Sequence, residues 1–314
     1  MFYLLLTFAV LYFSFPIAAA EKPFGVVTVS VANLREKPGY AAEMGTQCLL
    51  GMPVKILGSK NNWLNVDPPE GYPTWVTEDS LTLFDKDEFN RYIESPKVIF
   101  LPHSGFCYSE PNENSPKVAD LVAGCVVQNI ESENNFIKVK FPDGRTAFVP
   151  KNYCRDFDEW KKTAKPTGES LAERAFDFMG TPYLWGGTSS KMLDCSGLTK
   201  YCFFLNGVVI PRNASQQAKA GIAVPPNDYK EFQKGDLLFF GNPATDKVSH
   251  VGMYLEDGTF IHESGGVHLS SLNTDSPLYD AHLKKRLIVV RRFLGAAGQP
   301  GITPVSEHPL YKNN

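Results

Sequence analysis

The stretch LDCSGLTKYCFFLNG, residues 193–207, places two cysteines seven positions apart in an apolar run that opens on Asp194 and closes on Gly207. The run reads as a helix starting at Cys195, with Leu198, Phe203 and Leu205 on its buried face and its end at Gly207. Two turns would separate Cys195 from Cys202 by ~10 Å, beyond the ~7 Å Cα reach of a disulfide, so these two are not a bridged pair. A thiol in the first turn faces free backbone N–H groups and the positive end of the helix dipole, which favours thiolate and can stabilise an oxyanion. On this stretch alone, Cys195 reads as a nucleophile or as a small core residue.

Two downstream histidines weigh towards chemistry. His250 opens HVGMYL and His262 sits in FIHESGG, two alternating runs joined through the turn-like EDG at 256–258. Adjacent antiparallel strands bring both imidazoles to one edge, where one can take the proton of Cys195 and the other can orient the first. The chain has no Cys-x-x-Cys pair, so no zinc site is expected, nor any other metal or organic cofactor.

At 314 residues and 43 % hydrophobic, the chain has material for two or three folded domains. A net charge of −3 without a basic run argues against a nucleic-acid partner. Residues 1–20, MFYLLLTFAVLYFSFPIAAA, have the form of a secretory signal; Pro16 and an apolar run shorter than the ~20 residues of a bilayer span argue against an anchor. The protein is therefore expected to be exported, without stable membrane insertion after cleavage. All six cysteines lie in the exported part, and their even number permits disulfides without requiring them.

An internal repeat organises the N-terminal half. GMPVKILGSKNNWLNVDPPEGYPTWV (51–76) superposes without gaps on GCVVQNIESENNFIKVKFPDGRTAFV (124–149), at a constant offset of 73 residues. Short alternating runs separated by turn residues predict a small antiparallel barrel in each copy. The expected domains are 21–85 and 95–155, with helix-compatible linkers at 86–94 and 156–166. After Pro166-Thr167-Gly168, the segment ESLAERAFDFMG reads as an amphipathic helix with Leu171, Ala175, Phe176 and Phe178 inward. Helices first and strands after make 167–295 an α+β domain. The tail, 296–314, has no apolar period and is expected to be loosely packed.

The first module, with its Leu34-Arg35-Glu36-Lys37-Pro38 opening, resembles bacterial SH3-like domains; the second resembles them through the repeat. In the C-terminal third, GTPYLWGG (180–187), DCSGL (194–198), KGDLLFFG (234–241), SHVGMYL (249–255) and FIHESG (260–265) are similar in order and spacing to the NlpC/P60 family of cell-wall cysteine peptidases. The resemblance implies an α+β, papain-like NlpC/P60 catalytic domain preceded by two small all-β SH3-like barrels. Cys195 is then the nucleophile, His250 the general base and His262 the residue that holds it.

The implied reaction is hydrolysis of the γ-D-glutamyl–diamino acid bond in peptidoglycan stem peptides or muropeptides, in the periplasm or cell envelope of a bacterium, by a monomer. In the subgroup resembled, the first SH3-like domain walls the active site and a free N-terminal L-alanine is required. A pocket for that ammonium needs acceptors. Candidates are Glu43, Tyr72, Tyr183, Asp194 and Ser196, with Tyr183 also placed to assist the oxyanion. The repeat sets Pro116 opposite Glu43 and Arg145 opposite Tyr72, so barrel architecture does not itself require either residue. Asn213 departs from the aspartate usual in the subgroup, which weakens ammonium recognition and leaves intact, wall-attached stems as an alternative substrate. Two readings of other classes remain, a non-catalytic wall-binding protein and a thioester acyltransferase; the intact Cys195, His250 and His262 oppose the first and the polar cluster around Asp194 the second.

Overall fold

The computed structural model describes residues 22–312, so the segment read as a secretory signal lies outside the described residues. Two seven-stranded antiparallel sheets occupy the N-terminal half. In the first, neighbouring strands run Met44–Leu49, Val31–Arg35, Thr74–Thr77, Trp63–Asp67, Pro53–Lys60, Phe24–Val27, Leu81–Phe84. The second has the same order, running Lys117–Val122, Ser104–Tyr108, Thr146–Pro150, Phe136–Lys140, Val126–Glu133, Lys97–Phe100, Cys154–Asp156. Several residues shared by the two copies have a backbone reason. Gly51 and Gly124, Asn61 and Asn134, and Gly71 and Gly144 all adopt left-handed φ, between 51° and 90°, at the turns of their copies. The shared valines fill the interiors: Val54, Val66 and Val76 in one sheet, Val127, Val139 and Val149 in the other, each at most 1 % exposed. Burying each contributes about 1.5 kcal/mol.

Helices Lys86–Glu94 and Phe157–Thr163 occupy the two linkers, each started by an aspartate cap, Asp85 or Asp156. A third helix, Gly168–Phe176, is capped by Thr167. Its buried face is Leu171, Ala172 and Ala175, followed by Phe178 in the next turn; Phe176, expected inward, is 46 % exposed because the helix ends there and the chain turns away.

The C-terminal part is α+β. Its six-stranded antiparallel sheet runs Ile222–Val224, Leu287–Arg292, Leu237–Asn242, Lys247–Glu256, Thr259–Glu263, Val267–Ser271. The Cys195–Leu205 helix packs on the Lys247–Glu256 strand, and every residue from Ser196 to Leu205 is buried. A helix covered on all sides needs a second partner, and the N-terminal sheets supply it. Tyr201 donates to the Ala123 carbonyl at 2.5 Å, and Lys200 pairs with the Glu70 carboxylate at 2.8 Å. Gln47 exchanges hydrogen bonds with Thr188 and accepts one from Ser189, so one core runs through all three parts.

The C-terminal segment is not loosely packed. Thr303–Pro304 pairs with Val208–Val209, Ile302, Val305, Leu310 and Tyr311 are buried, and His308 Nε2 lies 2.9 Å from the Pro69 carbonyl. Scattered apolar residues anchor it in pre-existing grooves, which no local periodicity signals. Among the described residues no helix is long and apolar enough to cross a membrane.

Candidate active site

A cleft of about 680 Å³ lies between the first sheet and the C-terminal part, and Cys195, His250, Tyr183, Asp194, Ser196, Asn213, Glu43 and Tyr72 all line it. Asp194 caps the Cys195–Leu205 helix: its Oδ1 accepts from Gly197 N at 2.7 Å. The same carboxylate accepts from Gly186 N at 2.8 Å and from two nitrogens of the buried Arg212, at 3.1 and 2.5 Å. Ser196 Oγ joins this cluster, receiving Arg212 Nη1 at 3.0 Å. Both oxygens of Asp194 are thus committed to holding the helix start, not free for a ligand.

The helix dipole does not leave Cys195 as a resting thiolate. Burial, then the Asp194 charge, push the Cys195 thiol up to about 12. The cap that forms the helix start places a negative charge beside the sulfur, and Arg212 is already paired with that charge. Ionisation of Cys195 therefore has to accompany proton transfer to a neighbour.

The histidines meet as their strands foretell. Gly252 stands opposite His262 in the register of Lys247–Glu256 and Thr259–Glu263, and a Cβ at Gly252 would come within 2.7 Å of the Phe260 ring. The glycine lets the strands approach, and His250 Nε2 lies 2.8 Å from His262 Nδ1. His262 is buried, and its Nε2 lies 3.0 Å from Ser270 Oγ on the next strand. Burial lowers His250 to about 4 and His262 to about 3, so both rings are neutral near pH 7. A neutral imidazole beside a thiol in a cleft can accept its proton, and a second imidazole behind the first can fix its tautomer.

At the wall made by the first sheet, the Tyr72 hydroxyl donates to Glu36 Oε1 at 2.6 Å, and Asn213, which lines the same cleft, is near enough to act on its titration. Glu36 was missed by the sequence reading, which weighed Glu43. Both carboxylates line the cleft, and Glu36 N donates to the Glu43 carbonyl at 2.9 Å. Gly45 makes room for Glu36: a Cβ there would sit 2.5 Å from Glu36 Oε1. The repeat offered a signal, since a shift of 73 sets Ser109 against Glu36. Ser270 and Glu263 had none, because nothing in a strand's alternation says which partner its neighbour strand presents.

The NlpC/P60 family model matches residues 180–292, and a bacterial dipeptidyl-peptidase SH3 domain model matches residues 34–81. The chain is 31 % identical over 246 residues to a γ-D-glutamyl-L-lysine dipeptidyl-peptidase of Bacillus cereus, covering 74 % of this chain and 72 % of that protein. It is also 31 % identical over 283 residues to the protein of the same name from Bacillus subtilis, covering 84 % and 89 %. Among solved structures, an NlpC/P60 family protein from Bacillus cereus superposes with a TM-score of 0.75 at 26 % identity, covering 86 % of this chain and 99 % of that one. With its cysteine at a capped helix start and its histidine pair across the cleft, the chain belongs to the NlpC/P60 family of cysteine peptidases.

Proposed function

We propose that the protein is an exported cell-wall endopeptidase that cuts the γ-D-glutamyl–diamino acid bond of muropeptides bearing a free N-terminal L-alanine. The relatives' shared name, γ-D-glutamyl-L-lysine dipeptidyl-peptidase, supports the bond. The observation that carries the reading of the amino end is the Glu36–Tyr72–Asn213 group, contributed jointly by the first sheet and the C-terminal part to the wall of the cleft that holds Cys195. Glu36 supplies the negative charge that Asn213 lacks, so an ammonium is recognised from the barrel side.

In this reading His250 takes the Cys195 proton as the sulfur attacks the γ-carbonyl carbon. The tetrahedral oxyanion forms near the helix start and Tyr183. Collapse expels the diamino acid's amine, protonated by His250, and leaves a thioester; water, deprotonated by His250, then attacks the thioester and releases the dipeptide and the thiol. His262 holds His250, and Asp194 and Ser196 act as the scaffold of the cysteine. The catalytic domain spans 167–295, the preceding barrels 21–85 and 95–155. The second sheet is a second SH3-like barrel, a reading supported by its identical strand order and matching left-handed turns. The enzyme acts as a monomer in the periplasm or cell envelope.

The test is mass spectrometry of L-Ala-γ-D-Glu-L-Lys and its N-acetylated form, incubated with the mature protein and with C195A. Cysteine-dependent release of lysine from the free-amine peptide alone is the expected result. Equal cleavage of both would refute the ammonium pocket, and no cleavage of either would refute the endopeptidase reading.

A further inference from the structure

The strand that carries His262 ends on Glu263, which pairs with Val267 across a turn made of Ser264, Gly265 and Gly266. Glu263 is fully buried, and among the described residues neither carboxylate oxygen meets a donor. It nevertheless lines the cleft of Cys195, beside Ser264 and Gly265. Burial, then the charge of Asp194, push it up to about 7. The arginine that lines the same cleft, Arg212, is held by Asp194 at 3.1 and 2.5 Å and is not available to it. A buried carboxyl without a partner in its own chain is costly, and a cation or N–H donor arriving with a ligand offsets that cost.

Glu263 stands apart from the acidic group at the barrel wall. Its charge acts on Tyr183, which also faces Cys195 and Asp194. Tyr72 shares the influence of Arg212 with Tyr183 but otherwise responds to Asn213 and Glu36, not to Glu263. Tyr183, Ser264 and Glu263 line the same cleft as Cys195, Glu36 and Tyr72; with the amino end of a peptide at Glu36 and Tyr72 and its γ-carbonyl at Cys195, the residue beyond the scissile bond is left the remaining part of the wall. The turn leaves space there: a Cβ at Gly265 would meet nothing within 4 Å, and one at Gly266 only the Thr181 carbonyl at 3.6 Å.

We propose that Glu263 is the specificity-determining carboxylate for the residue on the leaving side of the scissile bond, and that it takes the side-chain ammonium of that residue. The assignment rests on the endopeptidase reading above and deepens it. An amine on a flexible side chain has the reach and the charge to satisfy the buried carboxyl; an uncharged side chain of the same length has only the reach.

The test compares kcat/KM for L-Ala-γ-D-Glu-L-Lys and L-Ala-γ-D-Glu-L-norleucine, for the wild type and for E263Q, with thermal unfolding recorded for both proteins. The wild type is expected to prefer the lysine peptide by about ten- to a hundredfold, the scale of a charge-assisted hydrogen bond. In E263Q that ratio is expected to fall to within about threefold of one. A wild-type ratio near one overturns the assignment whatever the variant does. A lysine preference that survives in a folded E263Q overturns it too, with the hydrolytic reading left standing. Failure of the wild type to cleave either peptide would instead strike the endopeptidase reading, and the assignment with it.

Discussion

His250 Nε2 lies 2.8 Å from His262 Nδ1, and only one direction of proton sharing across that contact suits catalysis. If His250 donates from Nε2, its Nδ1 keeps a lone pair to receive the thiol proton. His262 must then carry its own proton on Nε2, and Ser270 Oγ, 3.0 Å away, must accept it. A donating Ser270 would shift every proton by one place and leave His250 Nδ1 already protonated.

Replacing Ser270 by alanine frees the tautomer of His262 without emptying the cleft. S270A is expected to lower kcat by about tenfold with little change in KM, a fraction of the loss expected on removing a general base. S270T, which keeps the hydroxyl, restores the rate. Steady-state kinetics on both variants checks this, and an equal loss in S270T would mean that packing is what matters. H262A is expected to cost about a hundredfold or more in kcat.

The resting pair is neutral thiol and neutral imidazole, since Cys195 is pushed up to about 12 and His250 lowered to about 4. The difference in 240 nm absorbance between wild type and C195A is therefore expected to show no thiolate at pH 7. At saturating peptide, kcat is expected to hold as pH falls to about 5 and to disappear as His250 gains a proton near 4, while kcat/KM for a lysine peptide falls earlier, as Glu263 gains a proton near 7. Stability follows the same groups. Because the folded-state values of His250 and His262 lie below their ordinary 6.5, the unfolded chain takes up these protons first. Their contribution to stability is present above pH 6.5 and is lost as pH falls towards 4; urea midpoints of E263Q at pH 7 and pH 5 measure the loss without the opposite trend of Glu263, whose raised value adds stability as pH falls below 7.

Glu36 accepts from the Tyr72 hydroxyl, and Asn213 lines the same cleft and acts on Tyr72. E36Q removes the carboxylate and is expected to lower kcat/KM for a free-amine peptide by about tenfold or more, while cleavage of the N-acetylated peptide does not fall with it. N213D adds a second carboxylate, and the free-amine preference is expected to rise. Competition between the two peptides, followed by mass spectrometry, reads both variants.

Lys200 and Glu70 form a 2.8 Å ion pair whose side chains are 9 % and 1 % exposed, joining the Cys195–Leu205 helix to the first barrel. K200M leaves Glu70 buried with Thr46, at 3.1 Å, as its remaining side-chain donor among the described residues. Its expected cost is about 3–5 kcal/mol in urea unfolding, and K200M/E70L is expected to recover most of it. If the double variant is no more stable than the single one, desolvation is not the dominant cost.

What the sequence determined by itself is what a few neighbouring residues decide. Asp194 and Gly207 bound the helix of Cys195, and Gly51, Asn61 and Gly71 recur 73 residues on because the same left-handed turns recur. The EDG hairpin set His250 and His262 on paired strands, since Asp257 and Gly258 adopt left-handed φ and reverse the chain. Tertiary structure decided the rest, because it depends on partners far away in the chain. Glu36 rather than Glu43 holds Tyr72, since Gly45 leaves space only a folded sheet reveals. The C-terminal segment packs through isolated side chains in grooves built by other elements. Cys195 is a thiol at rest, because the aspartate that starts its helix also sets a buried charge beside it. Backbone preferences act over a few residues, while burial and electrostatics sum over everything that packs around a group, and the second sum exists only once the chain has folded.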